Sequence, residues 1–264
     1  MPPARSSFTA LNVPDDAVPE WMQMDSFTLA APPNTDLWRK PPSRDTSTAP
    51  MLYTALRSPF VAAEVTVSAD WELEWDQGGL VIFAGAPPGH IVSNRASPDP
   101  SPAPAPVPAS GAPLAAGQPS AVTQRSLRPP PPPYMAPAPA SKWVKVGLEF
   151  CNNACHATSV CATSDGADWA LSALSPLQAR RQDLRVKMER IGYALWVWYM
   201  DDVAGWKKLR EVTWFFWGVE DKMVRVGVYA SRPANIGASV YDRRNGGGYR
   251  QRNLRVEFEG LEIY

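Results

Sequence analysis

Short apolar runs recur along the chain, separated by turn-forming residues. They cover Phe27–Ala31, Met51–Leu56, Ala62–Ser68, Gly79–Gly85, Trp143–Phe150, Thr158–Thr163, Leu184–Arg190, Tyr193–Met200, Glu211–Trp217, Arg225–Ala230 and Leu254–Phe258. Each is about one strand long and rich in the residues that fit a pleated, half-buried surface. Asp76-Gln77-Gly78, Asn152-Asn153, Asp201-Asp202 and Asn245-Gly246 stand between runs as turns. Evenly spaced short strands predict an all-β protein, with two antiparallel sheets stacked as a sandwich. One stretch breaks the pattern. Ser175-Pro176 reads as an N-cap followed by a first helical residue, with Leu177–Asp183 as two short helical turns.

Alternation is clearest in Trp143–Phe150. Val144, Val146, Leu148 and Phe150 fall on one face, and Trp143, Lys145, Gly147 and Glu149 on the other. The first face predicts core between two sheets. The second combines an aromatic ring, an ammonium and a carboxylate around a glycine, and predicts a polar, aromatic sheet face. Glu64, Thr66 and Ser68 alternate with Val65 and Val67 in the same way.

Proline changes the domain picture. The chain has 264 residues and 29 prolines, and 15 of these fall within residues 97–140 beside 10 alanines. Proline gives a ladder no donor, and such a stretch has little to bury. Residues 93–141 are expected to be a disordered Pro/Ala-rich insertion between two strands. Residues 1–20 are expected to be a flexible N-terminal arm, and 21–264 the sandwich that the insertion interrupts. Pro129–Pro133 followed by Tyr134 has the composition of a polyproline ligand, although a passive low-complexity loop is the stronger reading.

Charge and cysteine narrow the function classes. Lys plus Arg equals Asp plus Glu at 26 each. A neutral chain is not a general polyanion binder, so nucleic acid is an unlikely partner. The Gly-rich basic stretch 242–252 leaves RNA contact as a minor option. Three cysteines argue against a disulfide scaffold. The longest apolar run, Tyr193–Met200, is far short of the ~20 residues of a membrane span. Met1–Pro14 has no apolar run of signal-peptide length. A cytoplasmic protein without a membrane partner is expected.

Catalytic chemistry is sparse. A glycosidase needs two carboxyls facing each other across a sugar. Glu72, Glu74 and Asp76 have the spacing of one strand face, but Trp71, Trp75 and a turn surround them. Glu149 is better placed and has no evident partner. Cys151, Cys155, His156 and Cys161 supply a zinc-like ligand count at the wrong spacing. Cys155 and His156 are expected in the turn of a hairpin, with Cys151 and Cys161 on its arms, as buried thiols rather than ligands. Among the tryptophans, Trp38, Trp143 and Trp169 sit in polar surroundings, with Trp143 the favoured binding residue. Trp196, Trp198, Trp214 and Trp217 lie in apolar runs and are expected in the core.

Seven landmarks follow one another along the chain. They are Pro32-Pro-Asn-Thr-Asp-Leu-Trp-Arg39, Asp76-Gln-Gly-Gly-Leu80, Trp143-Val-Lys-Val-Gly-Leu-Glu149, Ser164-Asp-Gly-Ala-Asp-Trp169, Leu184-Arg-Val186, Val226–Pro233 and Leu254–Ile263. In this order they resemble the bacterial and fungal family of unknown function that includes the regulation-of-enolase protein. The resemblance implies a concanavalin A-like lectin/glucanase sandwich in jelly-roll order. It brings no catalytic residues with it. Its matching polar and aromatic positions are Thr35, Asp36, Trp38, Arg39, Gln77, Trp143, Lys145, Glu149, Asp168 and Trp169.

The expectation is a non-catalytic binding protein with no cofactor and no metal. Its concave face would take a carbohydrate-like small molecule or a metabolic-enzyme partner. Trp143 would stack, Lys145 and Arg39 would meet anionic or hydroxyl groups, and Glu149 would accept from hydroxyls. Trp38, Asp36, Gln77, Asp168 and Trp169 complete the expected site. The alternatives are a glycoside-acting hydrolase and a protein–protein scaffold working through the Pro-rich insertion.

Overall fold

The computed structural model describes residues 8–18, 25–42, 44–89, 141–180, 182–234 and 252–264. The expected insertion therefore lies outside the described residues except for Ser141, as does the basic stretch 242–252 except for Arg252. Fifteen strands are described: β1 (Phe8–Leu11), β2 (Ser26–Ala31), β3 (Leu37–Lys40), β4 (Arg44–Ser47), β5 (Met51–Ala55), β6 (Ala62–Ala69), β7 (Gln77–Ala84), β8 (Lys142–Cys151), β9 (Ala154–Thr163), β10 (Gly166–Ala173), β11 (Asp183–Ile191), β12 (Ala194–Asp201), β13 (Gly205–Val212), β14 (Val224–Ser231) and β15 (Leu254–Ile263).

Two large antiparallel sheets form a sandwich, as the strand spacing predicts. One has seven strands in the order β1-β5-β14-β7-β8-β9-β10, the other six in the order β13-β12-β11-β6-β15-β2. Their facing sides supply the main core. Leu80, Ile82, Val144, Val146 and Leu148 come from the first, and Val65, Val67, Val186, Met188 and Phe258 from the second. The two-stranded β3–β4 hairpin belongs to neither sheet.

That hairpin decides what the outer face of the seven-stranded sheet becomes. Leu37 of β3 joins a second apolar cluster with Met51, Val81, Phe83, Trp143, Val160 and Tyr229. These are the outward-pointing positions of β5, β7, β8, β9 and β14, so the hairpin covers part of the outer face. Arg39 fixes it there. Its guanidinium pairs with both oxygens of Asp45 and donates to the backbone oxygens of Ser141 and Thr163.

Several local expectations differ from the structure. Phe8–Leu11, within the expected flexible arm, pairs with β5. The expected helix after Ser175 is a single 3₁₀ turn, Gln178–Arg180, begun by the Ser175 side chain accepting from the Gln178 amide. β7 begins at Gln77, so the turn expected at 76–78 ends two residues earlier, at Asp76. Asn152 and Asn153, with φ of 52° and 59°, make the two-residue turn between β8 and β9. Cys155 and His156 are therefore strand residues of β9, not turn residues. The run 211–217 is not one strand, since β13 ends at Val212 and a turn follows. Trp214 and Trp217 sit in that turn, exposed rather than in the core.

Trp196 and Trp198 also leave the core. Leu195, Val197 and Tyr199 of β12 point inward, so the period of two sends both tryptophans outward. Their rings stack at 5.8 Å, and Lys208 Nζ lies 4.3 Å from the Trp196 centroid. These ring faces are occupied by neighbours.

Candidate functional site

The uncovered part of the outer face of the seven-stranded sheet is a groove of about 430 Å³. Its floor is built by cross-strand register. Gln77 of β7 pairs with Glu149 of β8, and Val81 with Lys145. Trp169 of β10 pairs with Val160 of β9, which in turn pairs with Lys145. Between Lys145 and Glu149 lies Gly147, paired with Gly79. A side chain at Gly147 would come within 1.9 Å of the Gly78 carbonyl oxygen, so this crossing requires glycine. With no side chain there, the Tyr229 ring lies with its centroid 5.3 Å from Lys145 Nζ.

The walls are aromatic. Trp38 stands on β3, Trp169 on β10, and Trp75 in the loop before β7. Trp75 holds φ at 66°, a left-handed value costly for a bulky residue, and is 48 % exposed. Its neighbour fixes that conformation. Asp76 is fully buried, pairs through both oxygens with the Arg232 guanidinium, and accepts from the amides of Glu72 and Leu73. Arg232 also donates to the Arg252 carbonyl, and its own amide donates to Thr35 Oγ1. One buried ion pair thus ties the Trp75 loop, the chain before β3 and the end of β14 into the groove's rim.

Glu149 is the chemical centre. It is 1 % exposed, and its Oε2 accepts from Thr158 Oγ1 at 2.7 Å and from the Trp169 indole at 3.2 Å. Oε1 has no partner among the described residues. Burial pushes the Glu149 carboxyl above the usual glutamate range, opposed by the two hydrogen bonds and by Lys145. Lys145 is itself engaged, at 3.1 Å from Asp36 Oδ1, which also accepts from the Leu37 amide. Gln77 accepts from the Tyr229 hydroxyl.

A raised carboxyl makes a signed prediction. The native state holds the Glu149 proton more tightly than the unfolded chain. This contribution to stability is fully present below the ordinary glutamate range, about pH 4.3, and is lost as pH rises through the raised native value. Glu149→Gln is therefore expected to be at least as stable as wild type at neutral pH and to lose that downward slope. Urea midpoints measured across the same pH range check it.

The structure brings six of the expected site residues to the groove: Asp36, Trp38, Gln77, Lys145, Glu149 and Trp169. Three differ from expectation. Trp143 is fully buried beneath the hairpin, with no ring face to offer a ligand. Arg39 is 1 % exposed, and its donors are committed to Asp45 and to backbone oxygens. Asp168 pairs with Arg210 at 2.8 Å and lines a separate cleft of about 480 Å³ with Cys161 and Trp214. In that cleft Arg210 is already paired with Asp168, and Asp165 and Glu211 line it as well.

The other readings of the sequence are also placed. Glu72 and Glu74 are not on a strand, and Glu74 accepts from the Asn152 amide. Cys151, Cys155 and Cys161 are buried free thiols, the first two pushed up to about 11, chiefly by burial. Among the described residues no three His, Cys, Asp or Glu side chains converge to hold a metal. No helix among them is long and apolar enough to cross a membrane. Lys40, Trp75, Val160 and Pro233 also line the groove, and all but Trp75 carry no sequence signal for it. Trp75 offered a trace of one, a tryptophan beside an acid ahead of a strand.

Relatives place the chain without assigning a role. An uncharacterised protein of Emericella nidulans is 31 % identical over 215 residues, covering 81 % of this chain and 80 % of that protein. A functionally unknown protein from Saccharomyces cerevisiae shares the fold, with a TM-score of 0.59 and 17 % identity over 99 % of this chain and 98 % of its own. The family model described as a protein of unknown function, DUF1349, matches residues 15–262, and the chain belongs to that family.

Proposed function

We propose that the protein binds a carbohydrate-like ligand in the groove between Trp38, Trp75 and Trp169. The observation that carries this reading is Glu149, a buried residue on the floor of an aromatic-walled groove whose Oε1 has no hydrogen-bond partner among the described residues. An acceptor oxygen left open toward a groove is available to a ligand donor. Sugar rings supply both complements, an apolar face for indoles and hydroxyls for Glu149, Gln77 and Lys145. No ring partner for Trp38, Trp75 or Trp169 stands among the described residues, in contrast to the occupied faces of Trp196 and Trp198.

Binding is favoured over glycoside turnover by one specific observation. The second carboxyl in the groove, Asp36, is ion-paired with Lys145 and accepts from the Leu37 amide, both through Oδ1, and an ion-paired carboxylate is a weaker base and nucleophile than a free one. The three free thiols fit a reducing compartment, in keeping with a cytoplasmic protein.

A thermal-shift series with neutral oligosaccharides tests the reading. A ligand held only by the native state stabilises it by about 2.7 kcal/mol at one hundred times its dissociation constant. Trp169→Ala is expected to weaken binding at least tenfold, while Trp214→Ala, outside the groove, leaves it unchanged. If no saccharide shifts the wild type, the small-ligand reading falls, and affinity capture of a metabolic-enzyme partner through the same rim becomes the next experiment.

A further inference from the structure

We propose that the groove prefers an aminosugar, with the ligand's ammonium seated on Oε1 of Glu149 and its ring against the indoles. This rests on the carbohydrate reading above and narrows it to one charge class.

The argument is one of unmatched charge. Both donors to Glu149, the Thr158 hydroxyl and the Trp169 indole, are neutral, and both serve Oε2. The nearby cation, Lys145, sits on Asp36 and over the Tyr229 ring. Lys40 reaches the groove from an exposed position, where solvent screens it. The carboxylate is thus left desolvated, with Oε1 unserved among the described residues and with Lys145 acting on it only through space, without a hydrogen bond.

A hydroxyl would satisfy the geometry but not the charge. An ammonium satisfies both, and a charge-assisted hydrogen bond is roughly twice as strong as a neutral one. The walls point the same way. Trp75 and Trp169 are exposed at the groove, with Trp38 packed on the second cluster beside them, and indole is the best side chain for attracting a cation. A ligand carboxylate would meet the same carboxyl with repulsion.

Calorimetric titration of the full chain tests this with four oligomers of equal length, at a pH where the free amine is protonated. These are oligomers of glucosamine, N-acetylglucosamine, glucose and glucuronate. The glucosamine oligomer is expected to bind at least tenfold tighter than the acetylated or neutral ones, with glucuronate weakest. E149Q is expected to bring the amine down to the affinity of the neutral oligomer. E257Q, on the outer side of the other sheet, is expected to keep the preference, which separates the groove from general attraction of a cation. Equal or tighter binding of the acetylated oligomer overturns the inference and leaves the carbohydrate reading standing. A preference that survives E149Q overturns it too. Absence of binding by all four oligomers overturns both.

Discussion

Asp76→Ala is expected to destabilise the protein by about 3–5 kcal/mol, the range for removing one partner of a buried ion pair. Four hydrogen bonds end on that carboxylate: two from Arg232 and two from the backbone amides of Glu72 and Leu73. Without it, the Arg232 guanidinium stays 2 % exposed, with only the exposed Glu72 carboxylate at 3.7 Å to balance its charge. Arg232→Ala is expected to cost a similar amount, since it strands a fully buried carboxylate. The double replacement is expected to cost clearly less than the two singles added, because partners in one network are not independent. Chemical denaturation of the four proteins reads this directly. Additive costs would mean that Asp76 and Arg232 do not act as a pair. The ligand groove is expected to suffer with the fold, because the pair holds Trp75 and the chain before β3.

Trp143→Ala is expected to cost about 3–5 kcal/mol as a cavity in the second cluster. The position is 0 % exposed, packed with Leu37, Phe83 and Val160 under the β3–β4 hairpin. The indole N–H there has no hydrogen-bond partner among the described residues. Trp143→Phe removes that orphan donor along with part of the ring, and is expected to cost far less than the alanine. This pair of variants separates packing from recognition. If Trp143→Ala folded as stably as wild type and lost only ligand, the residue would belong to the binding surface after all.

The same strand shows how far the sequence carries. Alternation along 143–150 assigned every side chain to its correct face, and the polar set on that strand supplies two groove residues. It did not reveal that a hairpin one hundred residues earlier would fold over that face. Trp143 and Arg39 differ from expectation for this one reason, since their cover is a long-range contact without a local signature. Trp196 and Trp198 differ from expectation for another reason. The apolar content of Tyr193–Met200 outweighed its period of two, although Leu195, Val197 and Tyr199 already filled the inward positions. Trp75 escaped notice because its placement depends on a left-handed backbone value and on Asp76 meeting Arg232 across 156 residues. Such a pairing leaves no mark in local spacing. The sandwich itself was legible, because strand spacing and turn residues are local properties.

The central claim is that ligand enters the groove beside Glu149 and touches its indoles. Indole N–H signals in a nitrogen-15 spectrum report on this with one resonance per tryptophan. Titration with the glucosamine and glucose oligomers is expected to move the Trp169 signal most, because its N–H is bonded to Glu149, and to move those of Trp38 and Trp75. The signals of Trp71, Trp143, Trp196 and Trp198 are expected to stay in place. Shifts confined to Trp196, Trp198 and Trp206, or to Trp214 and Trp217, would place binding on another face and contradict the account. So would a spectrum that no oligomer changes.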